Sequence, residues 1–252
     1  MIVSGHSKWS TIKHKKAALD AKRGKNWGKL ARAVTMAAKL GGGNIHDNPR
    51  LRLAVDKAKA DNMPKDTIDK AIKKGTGELA GENYEDVLYE GYGAAGVAVM
   101  CKAVTDNRNR TSAEIKKIFE RAGGNLGPAN CVAFQFKAKG VIVIGAEQVA
   151  EDRIMEVALE AGADDITSSQ HIHEVLCSPE SFESVKKAIE AAGIEVRSAD
   201  LSMVADNLIS LNLDKARKVM RLIDALEEHE DVEAVYSNSD VPDDVVATLA
   251  GE

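Results

Sequence analysis

The sequence predicts an α+β protein: an N-terminal three-helix bundle followed by two ferredoxin-like α/β domains, the third domain inserted into the second. Three observations predict it. Apolar residues recur at helical spacing over residues 27–75, and beyond residue 84 the apolar period shortens to two. The later segments then succeed one another in βαββαβ order twice, one set nested inside the other. A chain of 252 residues has room for two or three such domains, each with a modest core.

Residues 1–25 are dense in Lys and nearly free of large apolar side chains, Ile2, Val3, Trp9, Ile12 and Leu19 being the exceptions. Such a stretch buries too little surface to fold alone and is predicted to be a mobile arm. The first helix follows, with Trp27, Leu30, Ala31, Val34 and Ala38 on one stripe and Gly41-Gly42-Gly43 ending it. Lys25, Lys29, Arg32 and Lys39 fall opposite that stripe, so one face is predicted to pack and the other to be cationic. A second helix starts with Asn48 as N-cap and Pro49 in the first turn, buries Leu51, Ala54, Val55 and Ala58, and stops before Met63-Pro64. A third starts at Pro64, has Asp66 and Asp69 early and Lys73 and Lys74 late, as the helix dipole favours, and closes at Gly75.

Residues 84–92 and 97–104 read as strands, 112–121 as a helix and 131–137 as a strand. Then come strand 141–144, helix 147–160, a short strand at 164–167, strand 171–177, helix 180–191 and strand 194–197. Strand 207–213, helix 214–228 and strand 232–238 complete a second βαββαβ set begun at residue 97. The domain boundaries expected are therefore 1–80 for the basic arm and helical domain, 81–137 with 207–252 for one α/β domain, and 138–206 for the inserted one.

Charge divides along the same lines. Residues 1–77 hold 18 Lys and Arg against 6 Asp and Glu, a net of +12, while residues 78–252 hold 16 against 33, a net of −17. The overall −5 and a pI near 5.8 conceal this split. Within it, the insertion at 138–206 has 5 basic and 14 acidic residues. Cys101, Cys131 and Cys177 are odd in number, far apart and set among apolar neighbours, which suits buried reduced thiols rather than a disulfide framework. No apolar run approaches the roughly 20 residues of a membrane span and no signal-peptide core is visible, so a cytoplasmic protein with no membrane partner is expected.

The strongest functional signal is the arm. Lys8, Lys13, Lys15, Lys16, Lys22, Arg23, Lys25, Lys29 and Arg32 are opposed only by Asp20 and interleaved with His6, Trp9, His14 and Trp27. Cations at this density suit a phosphate backbone, and an imidazole such as His14 can stack on an unpaired base, whereas Trp27 belongs to the packing stripe. A second signal is Thr105-Asp106-Asn107-Arg108-Asn109-Arg110-Thr111, between a strand and a helix. Thr111 to Glu114 fits a capping box, which would leave Asn107, Arg108, Asn109 and Arg110 as an exposed loop at a positive helix end, suited either to phosphate or to turn chemistry with surface ion pairs. Gly123-Gly124-Asn125-Leu126-Gly127 follows a helix and precedes a strand, the reverse of a phosphate-cradling loop, and reads as a helix C-cap and turn. His171, His173 and Cys177 share a strand face at a spacing open to metal, but no second ligand group accompanies them, and strand packing is the reading preferred. No nucleophile elbow, His-Glu-x-x-His helix or triad signature is present; no enzyme, metal or cofactor is expected.

Several phrases together resemble the YebC/PmpR family. They are Ser-Gly-His-Ser-Lys-Trp (4–9), Ile-Lys-His-Lys-Lys (12–16), Asn-Pro-Arg-Leu-Arg (48–52), Asn-Met-Pro (62–64), Ala-Ile-Lys-Lys-Gly (71–75), Tyr-Glu-Gly-Tyr (89–92), the Thr105–Thr111 phrase and Gly-Gly-Asn-Leu-Gly (123–127). The resemblance spans most of the chain. It implies a helical domain followed by two α/β domains, the third inserted in the second, and a non-catalytic regulator of gene expression. It covers both DNA-binding transcriptional regulators and ribosome-associated factors that relieve stalled translation. Departures from the family pattern are Met1-Ile-Val before the first phrase, Asn26-Trp27-Gly28, Ala94-Ala95 in place of a Pro-Gly turn, and Ala129-Asn130-Cys131. None touches the lysines of the arm.

The expected function is thus non-enzymatic nucleic-acid binding, to DNA or ribosomal RNA, through the basic N-terminal region, with the acidic domains facing ribosomal or other basic proteins. The alternative is a small-molecule-sensing module built on paired ferredoxin-like domains.

Overall fold

A computed structural model describes residues 23–169 and 171–251. Helix α1 spans Arg23–Gly41, α2 Pro49–Ala60 and α3 Lys65–Gly75. Their apolar stripes meet in one cluster built from Val34, Ala37 and Ala38 of α1, Leu51, Val55 and Ala58 of α2, Met63, and Ile68 and Ala71 of α3. Burying each Leu, Val or Ile side chain contributes about 1.5–3 kcal/mol. Trp27 flanks this core, and its indole Nε1–H donates to the Asp61 carbonyl at 3.1 Å, so it packs. Asn48 caps α2 by accepting from the Leu51 amide at 3.0 Å. Its Nδ2 also donates to the carbonyls of Ala37 at 2.9 Å and Gly42 at 2.8 Å, which joins the end of α1 to the start of α2. Gly75 is required where α3 meets α1: a Cβ there would strike the Thr35 carbonyl and sit 2.7 Å from the Ala38 Cβ.

Strands β1 (Glu85–Tyr92) and β2 (Ala98–Thr105) form an antiparallel hairpin with Glu85 opposite Thr105 and Tyr92 opposite Ala98. Helix α4 (Arg108–Arg121) and the two-residue strand β3 (Asn125–Leu126) follow. With β9 (Val232–Ser237) they make a sheet of order β3-β1-β2-β9. The glycine phrase 123–127 is explained here. Gly123 takes φ +75° just past the end of α4, and a Cβ on Gly124 would strike the Tyr92 carbonyl as β3 closes on β1.

The second sheet is built from β4 (Phe136–Gly145), β5 (Ala163–Ser168), β6 (Ile172–Cys177) and β7 (Val196–Ala205) in the order β5-β6-β4-β7, every pairing antiparallel. Helices α5 (Glu151–Glu160) and α6 (Phe182–Ala191) complete a βαββαβ succession. Ile142, Ile144, Ile154, Val175, Val185 and Ile189 are fully buried.

Several boundaries differ from those expected. Residues 131–135 are turn and a single 3-10 turn, and the strand runs unbroken over Phe136–Gly145, because Gly140 does not interrupt it. A Cβ on Gly140 would lie 2.6 Å from the Phe182 ring, so this glycine is there for close packing inside the strand. The last strand of the second sheet extends eight residues past 197. Of the strand expected at 207–213 only β8 (Ile209–Ser210) forms, and it pairs in parallel with β10 (Ser239–Asp240) outside either four-stranded sheet. The second βαββαβ set expected from residue 97 is therefore not formed: neither the strand expected at 131–137 nor that at 207–213 joins the first sheet, where β2 lies between β1 and β9. Helix α7 (Leu213–Glu228) and a closing helix α8 (Asp243–Gly251) complete the chain.

The described residues fall into two compact units. One holds the chain through Cys131 together with Lys218–Val235, and so contains the helical bundle and the first sheet. The other holds Val132–Arg217 and the residues from Tyr236 onward, with the second sheet.

Candidate nucleic-acid interface

Helix α4 starts earlier than the capping-box reading places it. Asn107, not Thr111, is the N-cap, its Oδ1 accepting from the Arg110 amide at 3.2 Å, and Arg108 to Thr111 form the first turn rather than a loop. Thr111 is fully buried, and the reason is an acid distant in sequence. Asp231, whose side chain is only 2% exposed, sits in the turn between α7 and β9. One carboxylate oxygen accepts from the Thr111 hydroxyl at 2.6 Å and from the Arg110 guanidinium at 2.7 Å. Because the carboxylate only accepts, the hydroxyl directions follow. Thr111 donates to Asp231 and accepts from Thr105 at 2.8 Å, and Thr105 accepts from the Asn107 amide at 2.9 Å.

Burial alone would push the Asp231 carboxyl up. The Thr111 hydroxyl and the Arg110 and Arg32 guanidinium groups outweigh it and hold the carboxyl below its ordinary range. The same hydrogen bond to Asp231 raises Arg110. His229 supports the turn: its Nδ1 accepts from the Asp231 amide at 3.1 Å, which leaves Nε2–H to donate to Glu114 at 2.9 Å.

The face of α1 read as cationic comes to the same turn. Lys29 donates to the Glu227 carbonyl, and Arg32 to the Glu230 carbonyl while lying 4.0 Å from Asp231. Lys39 donates to Asn83 Oδ1 at 2.5 Å and to the Tyr84 carbonyl at 2.9 Å. Carbonyls at the C-terminal end of α7 are natural acceptors for cations. The structure thus brings Lys29, Arg32 and Arg110 together around residues 227–231, each head group engaged with that turn.

Arg108, Asn107 and Asn109 are exposed, and Arg108 takes part in none of these pairs through its side chain. Lys8, Lys13, His14, Lys15, Lys16 and Lys22 lie outside the described residues, as does the expected mobile arm through residue 22; its last three residues are helical instead, Arg23 and Lys25 opening α1, though their side chains are outside the description. Asp231 itself was invisible to motif reasoning. Its only signal in the sequence is an acid placed between a predicted helix and a predicted strand.

His173 is accounted for by packing. Its Nε2–H donates to the Val149 carbonyl at 3.0 Å and its Nδ1 accepts from the Ser168 hydroxyl at 2.8 Å, whereas His171 is exposed ahead of β6. All three cysteines are free thiols. Burial pushes Cys101 up to about 12 and raises Cys177, while Cys131 is only half-buried. Among the described residues no helix is long and apolar enough to cross a membrane.

Residues 7–78 match the model of the TACO1/YebC protein N-terminal domain, and residues 84–239 match that of the TACO1/YebC second and third domain. The chain belongs to the TACO1/YebC family. A probable transcriptional regulatory protein of Desulforapulum autotrophicum is 52% identical over 243 residues, 96% of this chain and 98% of that one. Another so named, from Treponema pallidum strain Nichols, is 52% identical over 97% of this chain and 100% of its own length. A crystal structure of a conserved hypothetical protein from Aquifex aeolicus superposes with a TM-score of 0.82 at 44% identity, covering 92% of this chain and 96% of that one. The Thr105–Thr111 phrase, one of those that carried the resemblance, is a cap, a hydroxyl relay and two arginines, Arg110 paired with Asp231 and Arg108 exposed.

Proposed function

We propose that this TACO1/YebC protein is a non-enzymatic, nucleic-acid-binding regulator of gene expression. On this reading it grips the phosphate backbone with the lysines of residues 8–25 and with Arg108 and Asn109 at the exposed start of α4, while Lys29, Arg32 and Arg110 stiffen the platform behind them. The observation that carries the reading is the charge division, +12 over residues 1–77 against −17 over the remainder. A phosphate backbone rewards clustered cations, and the acidic remainder confines contact to one region. The name of the relatives, probable transcriptional regulatory protein, supports regulation of gene expression. The charge argument favours RNA within the ribosome over a long duplex, because ribosomes also present basic proteins to an acidic body. The chain on this reading divides at 1–80, 81–137 with 207–252, and 138–206.

Crosslinking bound nucleic acid in cells and sequencing it, with the full chain and with one lacking residues 1–25, tests this. Ribosomal RNA should be enriched, and the deletion should abolish the enrichment. Discrete duplex fragments would move the reading to transcription, and unchanged capture by the deleted chain would overturn the N-terminal contact. In vitro, Arg108→Ala should leave the melting temperature unchanged and reduce the slope of log affinity against log salt by roughly 0.7–0.9.

A further inference from the structure

The second sheet treats its two edges differently. At one end β5 is blunted: it has six residues, two of them Asp164 and Asp165, and its register with β6 slips between Ala163 and Asp165. Short length, charge and irregular register are the usual protections of an edge strand. At the other end β7 has ten residues, and from Ser198 to Ala205 its pairing with β4 is unbroken. That run contains no proline and no lysine, and Asp200 is its one charged residue. It spans roughly 26 Å at ~3.3 Å per residue. Among the described residues no strand pairs with its outer side.

The side chains along this edge alternate in a usable way. Ala199, Leu201 and Met203 stand opposite Ile142, Gly140 and Ala138, on the face that Gly140 shares with Phe182 of α6. Leu201 is nevertheless 42% exposed, because the sheet ends there. Ser198, Asp200 and Ser202 point to the opposite face, across from Val143, Val141 and Lys139. Arg197, the cation at the start of the strand, is paired with Glu147, Asp206 just past its end with Lys137 at 3.0 Å, and Asp200 takes part in an interaction of its own. A strand added here would extend the apolar face with one set of its side chains and lie along the polar face of a strongly acidic segment with the other.

We propose that the β7 edge, Ser198–Ala205, docks an extended segment of a basic protein, one in which Lys or Arg alternates with apolar residues, by β-strand addition. Charge selects this occupant over a second copy of the chain. The segment 138–206 carries 14 acidic against 5 basic residues, so edge-to-edge pairing of two copies would bring two strongly negative bodies together, whereas a basic segment is attracted. The proposal rests on the reading of an acidic body that meets basic proteins, whereas nucleic-acid contact through residues 1–25 is tested separately, so the two failures are distinguishable.

The test uses the full chain, isotope-labelled for amide exchange, and a ten-residue peptide of alternating Lys and Val. Binding should protect alternate amides within Ser198–Ala205. A counterpart N-methylated on alternate amides, which cannot complete a ladder, and one with Glu in place of Lys should each bind at least tenfold more weakly. Asp200→Lys should weaken the Lys-Val peptide about tenfold. The proposal is overturned by protection that maps elsewhere, by equal binding of the N-methylated or Glu-containing peptide, or by β7 protection in the free chain that grows with protein concentration. Protection in the free chain that disappears when residues 1–22 are removed overturns it too, by assigning the edge to the protein's own terminus.

Discussion

The two units differ in where the ion pairs that involve their arginines lie. Around residues 227–231 the first unit buries a carboxylate to 2% exposure and surrounds it with Thr111, Arg110 and Arg32, drawing α1, the start of α4 and the end of α7 onto one turn. The second unit leaves its ion pairs in solvent: Arg153–Glu156 has side chains 56% and 58% exposed, and Arg197–Glu147 27% and 62%. Exposed pairs contribute little because water and salt screen them, while a buried carboxylate must be matched by donors or be protonated. Charge therefore fixes geometry in the first unit. In the second, which also buries Glu174 and Asp240, these pairs lie at the surface, and the acidic excess sets the sign of what can approach.

The largest expected effect follows from breaking the buried hub. Asp231→Ala removes the acceptor of the Thr111 hydroxyl and the Arg110 guanidinium, and should cost about 3 kcal/mol in urea unfolding. The pH dependence follows from the same carboxyl. Its folded value lies below its unfolded one, near 3.9, so its stabilisation is complete above about pH 4 and is lost as pH falls through the depressed folded value. The difference in stability between the native chain and Asp231→Asn should thus be constant near neutrality and shrink in acid below pH 4. A difference that shrank between pH 5 and 7 would mean that some other group carries the hub.

An intermediate effect is expected where the hub meets the bundle. Arg32 is partly buried, donates to the Glu230 carbonyl and lies 4.0 Å from Asp231, so Arg32→Ala loses one charge-assisted hydrogen bond and some packing by the side-chain stem. About 1–2 kcal/mol should be lost in the same urea measurement. In a double-mutant cycle with Asp231→Ala the two losses should fall short of additive, since both act through one turn.

How far the sequence revealed this arrangement depended on the range of the interactions. The three helices were legible because their signals are local: the Asn48-Pro49 start, the Trp27 to Ala38 stripe, and Gly75 at the close. The continuation of β7 was equally present in the alternation of Ala199, Leu201 and Met203 with Ser198, Asp200 and Ser202, but its small and polar residues give a weak signal at a sheet margin. Two features required the fold itself. Thr111 looked like a cap because Glu114 follows three residues later, yet Asp231, 120 residues away, draws its hydroxyl inward and leaves the cap to Asn107. The cationic face of α1 looked free because a helical wheel shows which side a residue takes, not what lies against that side, and here it is the carbonyl-rich end of α7.

The smallest expected effect sharpens the contrast from the other side. Arg197→Ala removes the Glu147 pair at the surface of the second unit and should change stability by less than about 0.5 kcal/mol, with even that vanishing in 1 M salt. The informative readout is the difference between the two arginines under salt. Raising ionic strength should leave the cost of Arg32→Ala largely intact, because its carbonyl and carboxylate partners belong to a turn closed around a buried acid. A loss at Arg197 as large and as salt-resistant as that at Arg32 would show that the second unit, too, uses its charges to hold its shape, and the distinction between the units would then rest on their net charge alone.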